Sequence, residues 1–131
     1  MGWSREPQPG EIAWADLTVP DAEGLRDFYA EVVGWRPEPV EMGSYADFNL
    51  VQPATGEPAA GLCHARGANA DLPPVWLLYV VVRDLAASVE RCLELGGELV
   101  AGPRALGPEA RLAVIRDPAG AALALWERLS R

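Results

Sequence analysis

A weak internal repeat constrains the fold of this chain more than any other feature of its sequence. Shifting the sequence by 63 positions against itself brings four identical pairs together: Val19 with Val82, Asp21 with Asp84, Glu31 with Glu94, and Gly34 with Gly97. These pairs fall at the end of a predicted strand, at the N-cap of a predicted helix and where that helix closes, and few residue types serve at such places. The repeat therefore predicts two copies of one supersecondary module.

Each copy is predicted to begin with a strand and to continue into a helix. The strands span residues 11–19 and 75–82, and the second is almost wholly apolar, as expected for a strand buried on both faces. Asp21 and Asp84 are the predicted N-caps, because a carboxylate accepts the free N–H groups of a first helical turn. Apolar residues then recur with helical spacing, and on this pattern Cys92 is a core residue. The two predicted stripes are Leu25, Phe28, Tyr29, Val32 and Val33, and Leu85, Val89, Cys92 and Leu93.

Shorter strands separated by turns follow each predicted helix. Their spans are 45–51 and 59–64 in the first copy, and 98–100, 111–116 and 121–126 in the second. Pro and Gly mark turns at 53–56 and 118–120, and the stretch 66–74 is the natural connector between the copies. The order strand, helix, strands occurs twice, and it predicts a single α+β domain over residues 1–131 made of two copies of one module. The modules lie at about residues 10–65 and 75–127.

The amino-acid composition argues against several functional classes. The formal net charge is -8, and all 11 basic residues are arginines. Without lysine there is neither a Schiff-base nucleophile nor a P-loop, and an acidic surface repels nucleic acid and anionic membranes. Cys63 and Cys92 lack the spacing of a zinc site or of a disulfide framework. Because there is no signal peptide and no apolar run of roughly 20 residues, we expect a cytoplasmic protein with no nucleic-acid or membrane partner.

Several short stretches follow one another in a specific order. They are Leu-Thr-Val-Pro-Asp at 17–21, Phe-Tyr at 28–29, Gly-Trp at 34–35, Val-Val-Arg-Asp at 81–84, Gly-Gly at 96–97, and a closing stretch at 111–121 with Leu-Trp at 125–126. Together they resemble the vicinal oxygen chelate superfamily, the group of glyoxalases, bleomycin-resistance proteins and extradiol dioxygenases. The resemblance implies two βαβββ modules that curl into an open eight-stranded cup with a small molecule inside. It also implies a homodimer, which is common in the family.

Metal-dependent members of that family hold their ion with His, Glu or Gln side chains from four inward-facing strand positions. The resemblance assigns these positions to Trp14, Leu77, Ala124 and, approximately, Ala60. None of these side chains can donate a lone pair to a divalent cation. The family's metal polarises vicinal oxygens of the substrate, so its loss would remove the electrophile for isomerisation, thiol transfer and ring cleavage. We therefore expect a metal-free member with no cofactor.

Strand alternation predicts which side chains line the cup. Leu17 and Val19 are expected against the helices, so Trp14 and Asp16 face the cavity. The same alternation predicts that six residues of the second module also face the cavity: Leu77, Tyr79, Val81, Ala122, Ala124 and Trp126. Aromatic rings with a few polar groups are the usual lining of a small-ligand site. The predicted ligand-binding set is Trp14, Asp16, Leu77, Tyr79 and Trp126.

Each of these residues also has a purely structural interpretation. Trp14 and Trp126 either stack on a ligand or fill the space that a metal would occupy. Asp16 either acts as a general base, with its pKa raised by burial, or forms a structural hydrogen bond or meets solvent. Tyr79 either orients a ligand through its hydroxyl group or buries its ring.

Other candidate residues are assigned structural or surface roles. His64 is the only histidine, and it is expected in a solvated loop rather than at a ligand. Asp47 and Glu127 could ligate a relocated metal, but they are expected to be surface charges. The remaining tryptophans are expected to be buried within the domain rather than against a partner chain: Trp3, Trp35 and Trp76.

Three functional hypotheses follow, and whether the protein is an enzyme stays open. The first is a metal-independent protein of the bleomycin-resistance type that holds an aromatic or polycyclic ligand without changing it. The second is a cofactor-free isomerase, cyclase or hydroxylase-like enzyme that uses Asp16 and Tyr79 as acid–base groups. The third is a metal-dependent lyase or dioxygenase with shifted ligands. The residues favour them in that order.

Overall fold

The computed structural model describes residues 6–129, and these contain two copies of the order strand, helix, three strands. The first copy consists of β1 (Ile12–Val19), α1 (Ala22–Val32), β2 (Arg36–Glu41), β3 (Ala46–Val51) and β4 (Pro58–His64). The second consists of β5 (Leu77–Val81), α2 (Leu85–Glu94), β6 (Glu98–Ala105), β7 (Ala110–Arg116) and β8 (Ala122–Arg128). A 3-10 turn at Gly67–Asn69 lies in the connector. The predicted α+β class with two βαβββ modules is confirmed.

The eight strands are hydrogen-bonded in the order β2-β3-β4-β1-β5-β8-β7-β6. Strand β1 pairs in parallel with β4, and β5 pairs in parallel with β8. The hairpin pairs within each copy are antiparallel. The described residues divide into two compact units: unit 1 contains Ala15–Trp76, and unit 2 contains residues 6–14 and 77–129. The first residues of β1 therefore belong to unit 2 and the rest of that strand to unit 1.

The core of unit 1 lies between its sheet and α1. The Oδ1 atom of Asp21 accepts a hydrogen bond from the backbone N–H of Gly24 at 3.0 Å, so the predicted N-cap is confirmed. Leu25 and Tyr29 of α1 pack against the buried cluster Leu17, Val19, Ala22, Phe48, Leu50 and Leu62. Trp35 and Trp76 join Tyr29 in a cluster of three rings with centroids 5.4–5.7 Å apart. As predicted, Leu17 and Val19 face the helix, and both tryptophans pack within the unit; Trp3 lies outside the described residues.

The core of unit 2 is built in the same way around α2. Asp84 accepts a hydrogen bond from the backbone N–H of Ala87 at 3.1 Å, as predicted for an N-cap. Cys92 packs against the buried cluster of Leu85, Val89, Ala113, Ile115 and Leu125. Gly97 must be glycine, because a Cβ atom there would lie 2.8 Å from the carbonyl oxygen of Arg116 and would also collide with Cys92 Sγ. Neither helix in the described part of the chain is long and apolar enough to span a bilayer.

Two details of the repeat differ from the sequence-based expectation. The apolar stripes are narrower than predicted, since more than half of the side chain surface is exposed at Phe28, Val32, Val33 and Leu93. The glycines that close the two helices with positive φ are Gly34 and Gly96, at 86° and 95°, so Gly97 is not the conformational counterpart of Gly34. The identity of Gly34 and Gly97 in the repeat therefore reflects close packing at Gly97 and not the end of a helix.

Strand β2 was not predicted, because its sequence Arg-Pro-Glu-Pro-Val-Glu contains two prolines. It lies at the edge of the sheet, and β3 is its one partner among the described strands. Pro37 and Pro39 alternate with Arg36, Glu38 and Val40 along the strand. Proline is tolerated on an edge strand because the missing N–H group faces away from the ladder, where it also blocks pairing with another chain.

Candidate functional site

The strand register of unit 1 separates two faces of its sheet. Strand residues in the core cluster mark the face beneath α1: Leu17, Phe48, Leu50 and Leu62. Neighbouring side chains along each strand point to the opposite face. There Asp16 of β1 pairs with Gly61 of β4, and Gly61 pairs with Asn49 of β3. These three residues form one line across the sheet, and we call Asp16, Gly61 and Asn49 the polar row.

A second line of polar side chains runs beside the polar row. Thr18 pairs with Cys63, and Asp47 is among the residues that raise the pKa of the Cys63 thiol. Burial raises the pKa of the Cys63 thiol, and the charges of Asp16 and Asp47 raise that pKa further. The thiol is therefore protonated at neutral pH and is not a nucleophile. The same electrostatic effect indicates that Asp16 and Cys63 lie near one another on this face.

His64 is buried at the end of β4, with 7% of its surface exposed, so its prediction as a solvated loop residue was wrong. Its Nδ1 atom lies 3.0 Å from Asp47 Oδ1, and its Nε2 atom lies 3.1 Å from Glu23 Oε1 on α1. The backbone N–H of His64 donates to the same Asp47 oxygen at 2.9 Å. Asp47 is also 7% exposed, so its prediction as a surface charge was wrong as well. Both errors arise because the partners lie 17 and 41 residues from His64 in the sequence.

The Glu23–His64–Asp47 cluster favours a charged imidazolium. Each ring nitrogen of His64 faces a carboxylate, and an ionised carboxylate can only accept a hydrogen bond. Both contacts are therefore hydrogen bonds only when each nitrogen carries a proton. Burial by itself lowers the pKa of His64, but the hydrogen bonds and charges of Glu23 and Asp47 outweigh burial and raise that pKa. The hydrogen bond to His64 lowers the pKa of Glu23. With both nitrogens engaged, His64 links α1 to the β3–β4 hairpin and does not act as a base toward a ligand.

Unit 2 presents an apolar face on the side of its sheet away from α2. Leu125 of β8 packs beneath α2, so its neighbours Ala124 and Trp126 point to the other face. Tyr79 pairs with Ala124, and Val81 pairs with Trp126. This register confirms the prediction that these side chains of β5 and β8 lie on the same face of the sheet. Tyr79 is 6% exposed and Trp126 is 4% exposed. This face is therefore closely packed.

The five predicted ligand-binding residues differ in their accessibility. Trp14 and Asp16 lie two positions apart on one side of β1, and both are partly exposed. Leu77, Tyr79 and Trp126 are buried. Trp14 belongs to unit 2 with these three residues, whereas Asp16 belongs to unit 1. Trp14 and Asp16 are thus the members of the set that a ligand reaches most directly, and the function of the whole set stays a prediction.

The residues at the family's metal positions do not fit a metal centre. Ala60 pairs with Leu50, which lies in the core beneath α1, so the register corrects the fourth position to Gly61. Trp14, Leu77, Gly61 and Ala124 offer no coordinating side chain. Within residues 6–129, no three His, Cys, Asp or Glu side chains are grouped so that they could hold a metal ion. Chemistry that depends on a metal at these positions therefore has no support in the residues present.

An open groove of about 440 Å³ lies at the start of α2, on the helix side of unit 2. It is lined by Val82, Arg83, Asp84, Ala87, Ser88, Arg91, Ile115 and Leu125. Two N–H groups of this helix end are already bonded, because Leu85 donates to Glu127 Oε1 at 2.8 Å and Ala87 donates to Asp84 Oδ1 at 3.1 Å. Glu127 is thus a partly buried helix cap, and its prediction as a surface charge was wrong. The groove contains none of the five predicted ligand-binding residues.

Comparisons with known sequences agree with this geometry. The family model described as Glyoxalase/Bleomycin resistance protein/Dioxygenase superfamily matches residues 11–125. "Putative glyoxylase CFP32" of Mycobacterium tuberculosis (strain CDC 1551 / Oshkosh) is 32% identical over 127 residues, which cover 93% of this chain and 47% of that protein. "Anthracycline biosynthesis protein DnrV" of Streptomyces peucetius is 31% identical over 135 residues, which cover 92% and 48%. The chain spans about half the length of these relatives.

Solved structures share the fold. The hypothetical protein BH1468 from Bacillus halodurans C-125 superposes with a TM-score of 0.60 at 14% identity, over 95% of this chain and 98% of that chain. Methylmalonyl-CoA epimerase from Mycobacterium tuberculosis superposes with a TM-score of 0.52 at 19% identity, over 97% and 95%. At these identities the likeness concerns the fold alone.

Proposed function

Because this chain belongs to the Glyoxalase/Bleomycin resistance protein/Dioxygenase superfamily, we propose that it binds a planar aromatic or polycyclic small molecule without a metal ion and without changing it chemically. The observation that carries this function is the residue set at the family's metal positions. Within unit 2, Trp14 and Leu77 provide ring and aliphatic surface at these positions, while Ala124 adds almost no side chain. Such surfaces attract an aromatic ligand by stacking and burial and not by coordination.

Trp14 is the first point of contact in this proposal. It is partly exposed on β1, whereas Tyr79 and Trp126 are buried, so a ring stacks on Trp14 before it meets the other two. The name of one relative, an anthracycline biosynthesis protein, supports a polycyclic aromatic ligand as the class to test first. A homodimer stays a prediction, and the exposed side chains of Phe28, Val32 and Val33 on α1 are a surface of the kind that it would use.

Quenching of tryptophan fluorescence by 2,6-dimethylanthraquinone tests the binding. We expect saturable quenching, and we expect Trp14→Phe to weaken binding by about threefold to tenfold, because one stacking contact contributes about 0.5–1.5 kcal/mol. Trp35→Phe is the matched control, since it also removes one indole but lies in the ring cluster with Tyr29 and Trp76. Equal effects of the two substitutions, or no saturable quenching of the unaltered protein, would contradict the proposed function.

The same samples separate binding from chemistry and from metal dependence. Dialysis against a chelator should leave the dissociation constant unchanged, and mass spectrometry should recover the quinone intact. Binding that is lost on chelation and restored by zinc, nickel, iron or manganese would instead support a metal protein with other ligands. Turnover that disappears in Asp16→Asn while binding persists would support the acid–base enzyme.

A further inference from the structure

We infer that the groove at the start of α2 binds a small amphiphilic carboxylate, a molecule with an apolar chain or ring and one carboxylate group. The groove lies on the helix side of the unit 2 sheet, whereas Ala124 and Trp126 point to the other side. It is therefore separate from the site of the proposed function. Its volume of about 440 Å³ lies within the usual range for small-molecule sites.

The internal repeat explains why this side of unit 2 is open. In unit 1, Leu25 of α1 packs against the buried core cluster. The shift of 63 positions places Ser88 at the equivalent point of α2. Because serine is shorter than leucine, the core residues Ile115 and Leu125 stay accessible as an apolar floor of the groove. Unit 2 thus has an opening where unit 1 has a leucine side chain.

The rim of the groove offers a positive charge. The charged residues that line it are Arg83, Asp84 and Arg91. Asp84 Oδ1 already accepts the N–H of Ala87 at 3.1 Å, and Arg91 Nη1 donates to Glu94 Oε1 at 2.8 Å. Arg83 is exposed, and its side chain forms no hydrogen bond or ion pair with any of residues 6–129. A guanidinium group binds a carboxylate through two parallel hydrogen bonds, so Arg83 favours an anionic head group.

Ser88 adds a hydroxyl group between the floor and the rim. Its backbone N–H donates to the carbonyl oxygen of Asp84, but its side chain has no hydrogen-bond partner in the described part of the chain. A hydroxyl group can donate to a carboxylate. An amphiphilic carboxylate matches both parts of the groove, because its chain contacts Ile115 and Leu125 while its head group binds Arg83 and Ser88.

Two probes with the same chain length and opposite charge test this site: octanoate and octylammonium. We expect octanoate to cause saturable shifts in the NMR signals of the backbone N–H groups of Ala87, Ser88 and Arg91. It should bind about tenfold more tightly than octylammonium, since one charge-assisted hydrogen bond supplies that ratio. The net charge of -8 would favour the cation at a site without local arginines, so a preference for the anion is specific to the groove.

Substitutions at the floor and at the rim separate the two parts of the site. Ser88→Leu introduces the residue that unit 1 has at Leu25, and it should weaken octanoate binding by about tenfold or more because it fills the groove. Arg83→Gln changes only an exposed side chain; it should weaken octanoate binding about fivefold and leave octylammonium within about twofold. Arg36→Gln is the matched control, because it removes an exposed arginine of unit 1 and should leave both dissociation constants unchanged.

Several results would overturn this site. Equal binding of the two probes is one, and a preference for octanoate that survives Arg83→Gln is another. So is octanoate binding that persists in Ser88→Leu, with the fold checked by circular dichroism. Signals that shift with protein concentration alone would assign the groove to a second copy of the chain instead. Octanoate should leave the quenching by 2,6-dimethylanthraquinone unchanged, so the proposed function and this site can fail independently.

Discussion

The two units carry opposite chemistry at equivalent places of one repeated module. The pair Asp16 and Gly61 in unit 1 and the pair Tyr79 and Ala124 in unit 2 are related by the same shift of 63 positions. Both pairs join the first and last strands of their module in parallel, on the face away from the helix. In unit 1 this face is polar and partly exposed, and in unit 2 it is aromatic and buried. The repeat thus determines where a side chain points but not what it does there.

This difference predicts that the two faces contribute very unequally to stability. Trp126 is 4% exposed, so Trp126→Ala should lower the free energy of unfolding by about 3–5 kcal/mol, the usual cost of such a truncation. Asn49 is partly exposed, so Asn49→Ala should change that free energy by no more than about 0.5 kcal/mol. Urea unfolding monitored by circular dichroism measures both values.

Trp126→Phe is the companion variant, because it keeps an aromatic ring in case the alanine variant does not fold. Its destabilisation should lie between those of the other two proteins. Comparable losses for Trp126→Phe and Asn49→Ala would mean that the face of unit 2 contributes no more packing energy than the polar row. The contrast between the two units would then be one of composition only.

The Glu23–His64–Asp47 cluster makes unit 1 sensitive to pH. The pKa of His64 is raised in the folded state above its ordinary value of 6.5, so the folded protein holds this proton more tightly than the unfolded chain. The resulting stabilisation is fully present below about pH 6.5 and is lost as the pH rises through the folded pKa. His64→Gln should remove that dependence. Urea midpoints measured between about pH 5.5 and about pH 8.5 test the expected direction.

Hydrogen exchange assigns this pH effect to one unit. Amide protection in α1 and β3, which carry Glu23 and Asp47, should fall with rising pH more than protection in α2, after correction for the intrinsic exchange rate. The lowered pKa of Glu23 affects stability in a separate pH range, because the stabilisation that Glu23 contributes is lost only as the pH falls below about 4.5. A difference between the original protein and His64→Gln that grows with pH would contradict the cluster as described.

Local patterns in the sequence predict the fold well and the site only in part. The N-caps at Asp21 and Asp84 and the parity of β5 and β8 depend on neighbours within a few residues, so they can be read directly from the sequence. Strand β2 breaks the local propensity rule, because an edge position tolerates its prolines.

The polar row and the histidine cluster depend on pairing between distant segments. Asn49 and Gly61 join Asp16 only when the register of β3, β4 and β1 is known, and Ala60 was assigned to the wrong face for the same reason. Asn49 was not among the predicted site residues, because alternation within 46–51 does not indicate which residue lies opposite it. His64 has no local signal at all, because both of its carboxylate partners come from other elements.

The smallest expected effect concerns Cys63, whose reactivity reports the charge on the face of unit 1. Burial is the largest cause of its raised pKa and the charge of Asp16 is a smaller one, so Asp16→Asn should lower that pKa only in part. We expect iodoacetamide to alkylate Cys63 about twofold to fivefold faster in Asp16→Asn at mildly alkaline pH, because the thiolate is the reacting species. Cys92 lies against the core of unit 2 and serves as the internal reference when the two peptides are followed by mass spectrometry. Faster alkylation of both cysteines would indicate general loosening. An unchanged rate at Cys63 would mean that the charge of Asp16 does not act on the thiol at this face of unit 1.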